Sequence, residues 1–127
     1  MSVIRILGIP GSIRKASTNL GLLRAAGQLL ADTPGVEFAI ADISHLPLYN
    51  SDLETQAGGA IAFPEAVTAF REQVANADAI LFATAEYNYS ISSTCAMLRH
   101  LAQLVAVALT HSHSLSLSLS LALPQRR

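Results

Sequence analysis

Residues 79–84, AILFAT, form an apolar run interrupted by no polar side chain before Thr84. A strand of this composition has no solvent face, so it belongs in a sheet covered on both sides, which means a largely parallel one. The preceding chain has the matching rhythm. VIRILGIP reads as a buried first strand, roughly Val3 to Gly8. From Asn19, NLGLLRAAGQLLAD sets Leu20, Leu23 and Leu30 beside Leu22, Ala26 and Leu29 on adjoining helical stripes. Thr18 or Asn19 is the candidate N-cap, and Thr33-Pro34-Gly35 stops the helix. VEFAIAD is a second strand with Val36, Phe38 and Ile40 on one face. PEAVTAFREQVANAD carries Pro64 in its first turn and Val67, Phe70, Val74 and Ala77 at helical spacing. The stretch between them, ISHLPLYNSDLETQAGGAIAF, is turn-rich and reads as an irregular surface loop. Strand, helix, strand, helix, strand implies an α/β sheet with right-handed crossovers.

The chain has 127 residues, a formal net charge of −1 and one cysteine. That length suits one domain with one core. A charge so close to zero supplies no polyanion-binding surface, which argues against a nucleic-acid partner. Cys95 cannot form an internal disulfide, suits a reducing compartment and reads as a buried side chain. The opening MSVIRILGIPGSIRK lacks the apolar core of a signal peptide. Residues 101–123 contain no Asp, Glu, Lys or Arg, but His111, His113 and several serines interrupt them, so no membrane span is read there. His111-x-His113 offers too few ligands for a metal. The expectation is a cytoplasmic protein.

Ligands of an open doubly wound sheet settle beyond the carboxyl ends of the strands, where strand order reverses. For the order 2-1-3-4-5 that point lies between the first and third strands. The two chemically dense loops follow those strands. In the first, Gly11 permits a tight turn and close backbone approach, and Ser12, Ser17, Thr18 and Asn19 offer short hydrogen-bonding side chains at the start of a helix. Arg14 adds a guanidinium that can grip a phosphate with two N–H groups. Neither a P-loop nor a dinucleotide fingerprint is present, so a mononucleotide phosphate fits better than a pyrophosphate. In the second, Glu86, Tyr87, Asn88, Tyr89 and Ser90 offer polar groups for the edge of a flat heterocycle and rings for its face. Glu86 could equally face solvent, and the tyrosines could simply cover the end of the sheet.

GSIRKASTN, LPLYN and EYNYSIS, in this order and spacing over roughly residues 3–92, resemble the NADPH-dependent FMN reductase family, which includes NAD(P)H:quinone and chromate reductases. With Tyr89 the likeness is strongest to the plant quinone reductases of that family. The resemblance implies a flavodoxin-like fold binding FMN non-covalently, in a homo-oligomer. Ser12, Arg14, Ser17 and Asn19 would hold the phosphate and ribityl chain, and Glu86, Tyr87, Asn88, Tyr89 and Ser90 would lie along the isoalloxazine. LPLYN (residues 46–50) would lie near the flavin or a subunit contact. The family usually has Pro where this chain has Ala85. The implied function is two-electron transfer from NADPH or NADH through FMN to a quinone-like acceptor, with no catalytic nucleophile or acid–base pair.

The resemblance stops after Ser92. The family continues with a helix reading like PLKNAIDW, a fourth strand, a further Gly-rich loop, another helix and a fifth strand. Here STCAMLRHLAQLVAVALT keeps Met97, Leu98, Leu101, Leu104 and Val105 at helical spacing without matching that helix. THSHSLSLSLSLALP follows. Its strict alternation argues for a half-buried strand. A T/C dinucleotide repeat, however, encodes alternating Ser and Leu in any frame, so the segment reads as a low-complexity tail with an aggregation hazard. The expected fold class is therefore α/β: a flavodoxin-like doubly wound parallel sheet, incomplete at about three of five strands, with a non-family C-terminal tail. Residues 1–92 form the FMN-binding region and 93–127 a divergent, partly helical and then low-complexity tail. The third strand would be an exposed edge, flavin binding would be weakened, and the alternative function is a truncated non-catalytic isoform, unstable or associating with full-length subunits.

Overall fold

The computed structural model describes residues 3–57, 60–98 and 115–120. The chain runs β1 (Ile4–Pro10), α1 (Thr18–Leu30), β2 (Val36–Ile40), a 3₁₀ turn (Ser51–Leu53), β3 (Thr55–Ala57), β4 (Ala60–Ala62), α2 (Glu65–Ala75), β5 (Ala79–Thr84), β6 (Glu86–Tyr87), β7 (Ser90–Ile91), a helical segment at 93–98 and β8 (Leu115–Ser120). β2, β1, β5 and β8 make one all-parallel sheet in that order. The chain steps from β1 to β2 in one direction and then crosses back to β5, so strand order reverses between β1 and β5. This is the flavodoxin-like arrangement.

Side-chain alternation along β1 assigns the helices to opposite faces of the sheet. Leu7 and Ile9 join Val67, Phe70 and Val74 of α2, Ala41 and Ile43 after β2, and Leu98 in one buried cluster. Leu98 and Ile9 are completely buried, each contributing about 1.5–3 kcal/mol of apolar burial. Gly8, between Leu7 and Ile9 in sequence, faces α1. A Cβ there would lie 2.8 Å from the tip of the Phe38 ring and 3.2 Å from Leu23. A Cβ on Gly27 of α1 would lie 3.0 Å from the same ring. Phe38 is thus seated between a glycine of the sheet and a glycine of the helix, which sets how closely α1 lies on β1 and β2. Gly35, at φ 77°, turns the chain from α1 into β2, and its carbonyl accepts from the Ile4 N–H at 2.8 Å.

Several expectations need correction. α1 is preceded by Ser17, not Thr18 or Asn19, as its N-cap, because the Ser17 N–H donates to the Arg14 carbonyl and closes the turn that starts the helix one residue earlier. Pro64 is the N-cap of α2 and Glu65 its first residue, where a carboxylate suits the helix dipole. The stretch read as one irregular loop contains an antiparallel strand pair, from Thr55↔Ala62 to Ala57↔Ala60. The third main strand, β5, is not an edge: β8 pairs with it in parallel from Ala79↔Leu115 to Thr84↔Ser120. The Ser/Leu alternation therefore supplies a fourth strand, as its period of two allows, although its composition reads as a low-complexity tail. Residues 93–98 are helical, and the rest of the expected helical stretch, with His100, His111 and His113, lies outside the described residues.

Candidate functional site at the β1–β5 switch point

The carboxyl ends of β1 and β5 are level, with Pro10 paired to Ala83. Immediately beyond, the Gly11 N–H donates to the Ala83 carbonyl at 2.7 Å. The approach is too close for any side chain at position 11: a Cβ there would lie 2.5–2.8 Å from Thr84 Oγ1, Cβ and Cα. Gly11 is required by proximity, the close backbone approach that the sequence reading allows for beside a tight turn. The first loop leaves from this point. Ser12 Oγ accepts from the Arg14 N–H at 3.3 Å, Arg14 Nη2 donates to the Ala16 carbonyl at 3.4 Å, and the Arg14 carbonyl accepts from the Ser17 N–H at 3.1 Å. The loop is thereby curled into a compact turn with Ser12, Ser17, Thr18 and Asn19 along it.

α1 begins with Ser17 making no side-chain cap and with no acidic residue in its first turn. Its leading N–H groups and the positive end of its dipole are left to an outside acceptor, and no carboxylate in that first turn repels an anion. The donor set of three hydroxyls, one amide and one guanidinium fits a phosphate monoester.

The second loop is a hairpin. Glu86 pairs with Ile91 and Tyr87 with Ser90, and Asn88 and Tyr89 form its two-residue turn with φ of 50° and 62°. Both central residues are left-handed, as in a type I′ turn, and for a Tyr this conformation costs on the order of 1 kcal/mol. No glycine announces such a turn, which is why the sequence reads as a plain loop. Glu86, Tyr87, Asn88, Tyr89 and Ser90 are all solvent-facing, with Tyr89 at 99% exposure. The hairpin thus presents strained backbone and two bare tyrosyl rings at the mouth of the switch point. Among the described residues no hydrogen bond joins residues 86–90 to residues 12–19; the two loops are connected behind, through Gly11, Ala83, Thr84 and Ser92.

Ser92 is the residue that sequence reasoning missed. Its hydroxyl, 7% exposed as a residue, donates to the Gly11 carbonyl at 2.8 Å and accepts from the Cys95 N–H at 3.2 Å, with Thr84 Oγ1 also at 3.2 Å. No local pattern signals a bond across 81 positions of sequence. Cys95 itself is buried. Of LPLYN, Leu46 packs on the core while Leu48 and Tyr49 are exposed. Asp42, after β2, accepts from both the N–H and the hydroxyl of Ser44, and these bonds hold its carboxyl below the usual aspartate range. A groove of about 470 Å³ lies elsewhere, against Arg5, Leu7, Glu37, Ala39, Gln73 and Asn76, and includes none of the loop residues. It is far from the chemistry. Among the described residues there is no cluster of metal-ligating side chains and no helix long and apolar enough to cross a membrane.

Residues 4–114 match the family described as NADPH-dependent FMN reductase. A probable NADPH:quinone oxidoreductase of Oryza sativa subsp. japonica is 54% identical over 92 residues, covering 72% of this chain and 45% of that protein. An NAD(P)H-dependent FMN reductase of Pseudomonas aeruginosa is 49% identical over 89 residues, covering 70% of this chain and 44% of that protein. The solved structure of a flavoenzyme NAD(P)H:(acceptor) oxidoreductase, FerB, from Paracoccus denitrificans superposes with a TM-score of 0.72 at 26% identity, covering 93% of this chain and 60% of that one. The chain spans about 45% of the length of the curated relatives it matches.

Proposed function

The chain belongs to the NADPH-dependent FMN reductase family, and from that membership we propose that it binds FMN at the β1–β5 switch point and serves NAD(P)H-dependent reduction of quinone-like acceptors. The observation that carries this reading is the juxtaposition across Gly11: an uncapped helix start with phosphate-binding side chains on one strand end, and an exposed aromatic hairpin on the neighbouring one. The chemistry that FMN supplies when bound is two-electron transfer, hydride in from NADPH or NADH and hydride out to the acceptor.

The protein's part is placement. Ser12, Arg14, Ser17, Thr18 and Asn19 hold the phosphate and ribityl chain, with Arg14 and the α1 dipole supplying the counter-charge. Glu86, Tyr87, Asn88, Tyr89 and Ser90 would line the isoalloxazine, with polar and backbone groups of the left-handed turn at Asn88-Tyr89 and the tyrosyl rings available to it. None of these residues acts as nucleophile or general acid. The same reading makes the protein a cytoplasmic homo-oligomer acting on a small molecule, and a formal charge of −1 favours no nucleic-acid partner.

Titration of the purified chain into FMN, followed by flavin fluorescence, tests the binding. NADPH oxidation at 340 nm with a soluble quinone then tests the turnover. Saturable quenching together with flavin-dependent NADPH oxidation is the expected result; unquenched FMN refutes the reading.

A further inference from the structure

Ser92 belongs to neither loop, yet it touches the root of both. Its O–H has a single proton, given to the Gly11 carbonyl, and it accepts from the Cys95 N–H, while Thr84 Oγ1, which donates to the Ala85 carbonyl at 3.2 Å, lies 3.2 Å away. A buried hydroxyl that gives its one proton to a carbonyl and accepts an N–H is held in one orientation, and it holds its partners in turn. The partner that matters is Gly11. The peptide bonds are trans, and in a planar trans unit the carbonyl and the following N–H point in opposite directions. Fixing the Gly11 carbonyl against Ser92 therefore turns the Ser12 N–H away from Ser92, at the start of the loop that curls toward α1. The preceding peptide, Pro10–Gly11, has its own anchor in the bond from the Gly11 N–H to the Ala83 carbonyl.

We propose that Ser92 is a positioning residue of the FMN site, which sets the direction of the Gly11–Ser12 peptide and so the aim of the phosphate-binding loop. The proposal rests on the FMN reading above and assigns a role to a side chain that does not touch the flavin. Because Ser92 also caps the helical segment at 93–98, the phosphate loop is tied to that segment through a single oxygen. Removing the hydroxyl releases the Gly11 carbonyl into a buried site without a partner and lets the Gly11–Ser12 plane rotate. Such a change weakens recognition of the phosphate and leaves recognition of the ring system alone. A role confined to stability would weaken both equally.

The test compares FMN with riboflavin, which lacks the phosphate, by fluorescence quenching with the wild-type chain, Ser92→Ala and Ser92→Cys, together with the melting temperature of each. Cysteine keeps the shape of serine while replacing a strong donor with a weak one, so it decides the matter where the alanine variant does not fold. Loss of one such hydrogen bond predicts an FMN affinity lower by about fivefold, with riboflavin affinity changed by less than about twofold. An unchanged ratio of FMN to riboflavin affinity in the folded variants overturns the assignment of Ser92 and leaves the FMN reading standing. Absence of quenching with the wild-type chain overturns both.

Discussion

Two glycines separate close approach from helix propensity as reasons for a missing side chain. Gly21 lies inside α1, is exposed, and would bring a Cβ within 4 Å of nothing. Alanine there meets no obstacle and removes backbone freedom from the unfolded chain, for a gain of about 0.5–1 kcal/mol. Gly11 is the opposite case. A Cβ at 2.8 Å from Thr84 Cα meets backbone, which cannot rotate away, and Thr84 Oγ1 and Cβ are closer still at 2.5 and 2.6 Å. Relief requires the ends of β1 and β5 to part, stretching the 2.7 Å bond from the Gly11 N–H to the Ala83 carbonyl. Overpacking of this kind costs about 1–3 kcal/mol. At roughly 4 °C per kcal/mol for a domain of this size, Gly21→Ala raises the melting temperature by about 2–4 °C and Gly11→Ala lowers it by about 4–12 °C. Thermal melts followed by circular dichroism at 222 nm provide the measurement. A Gly11→Ala chain melting at or above the wild type, or a Gly21→Ala chain melting below it, refutes the reasoning.

Tyr89→Gly converts the turn to Asn-Gly, the pair that suits two left-handed residues, so stability is expected to hold or rise by up to about 1 kcal/mol while FMN binding weakens; urea unfolding and fluorescence titration read the two separately. Leu98→Ala empties a completely buried position in the main cluster and is expected to cost about 2–5 kcal/mol, read as an earlier urea midpoint; a neutral result would show that residues 93–98 do not dock as described.

The framework was legible because its signals are periodic. Val67, Phe70 and Val74 recur at helical spacing and are the three buried positions of α2, and AILFAT lacks a polar face because Ile80 and Phe82 pack on the main cluster while α1 lies against the strand as well. What escaped was set by partners distant in sequence or by turns without the usual residues. β3 and β4 are three residues each, too short for a period of two to stand out. Asn88-Tyr89 turns without glycine. β8 was visible as alternation, but its repetitive composition argued the other way, and only the open side of β5 determines where it pairs. In the site, the residue types that suit phosphate and flavin could be read from the two loops. The tie between them could not, since Gly11, Thr84 and Ser92 meet only once the sheet has formed.

The Phe38 ring held between Gly8 and Gly27 has a consequence for how this sequence can change over generations. The three positions share one volume, so none drifts independently. Alanine at Gly8 requires the ring at 38 to shift or shrink, and alanine at Gly27 requires it to give by a few tenths of an ångström. In the descendants of this chain, side chains at 8 and 27 should therefore follow or accompany a change at 38, a linkage among a strand, a helix and a second strand that is written in space and not in sequence order.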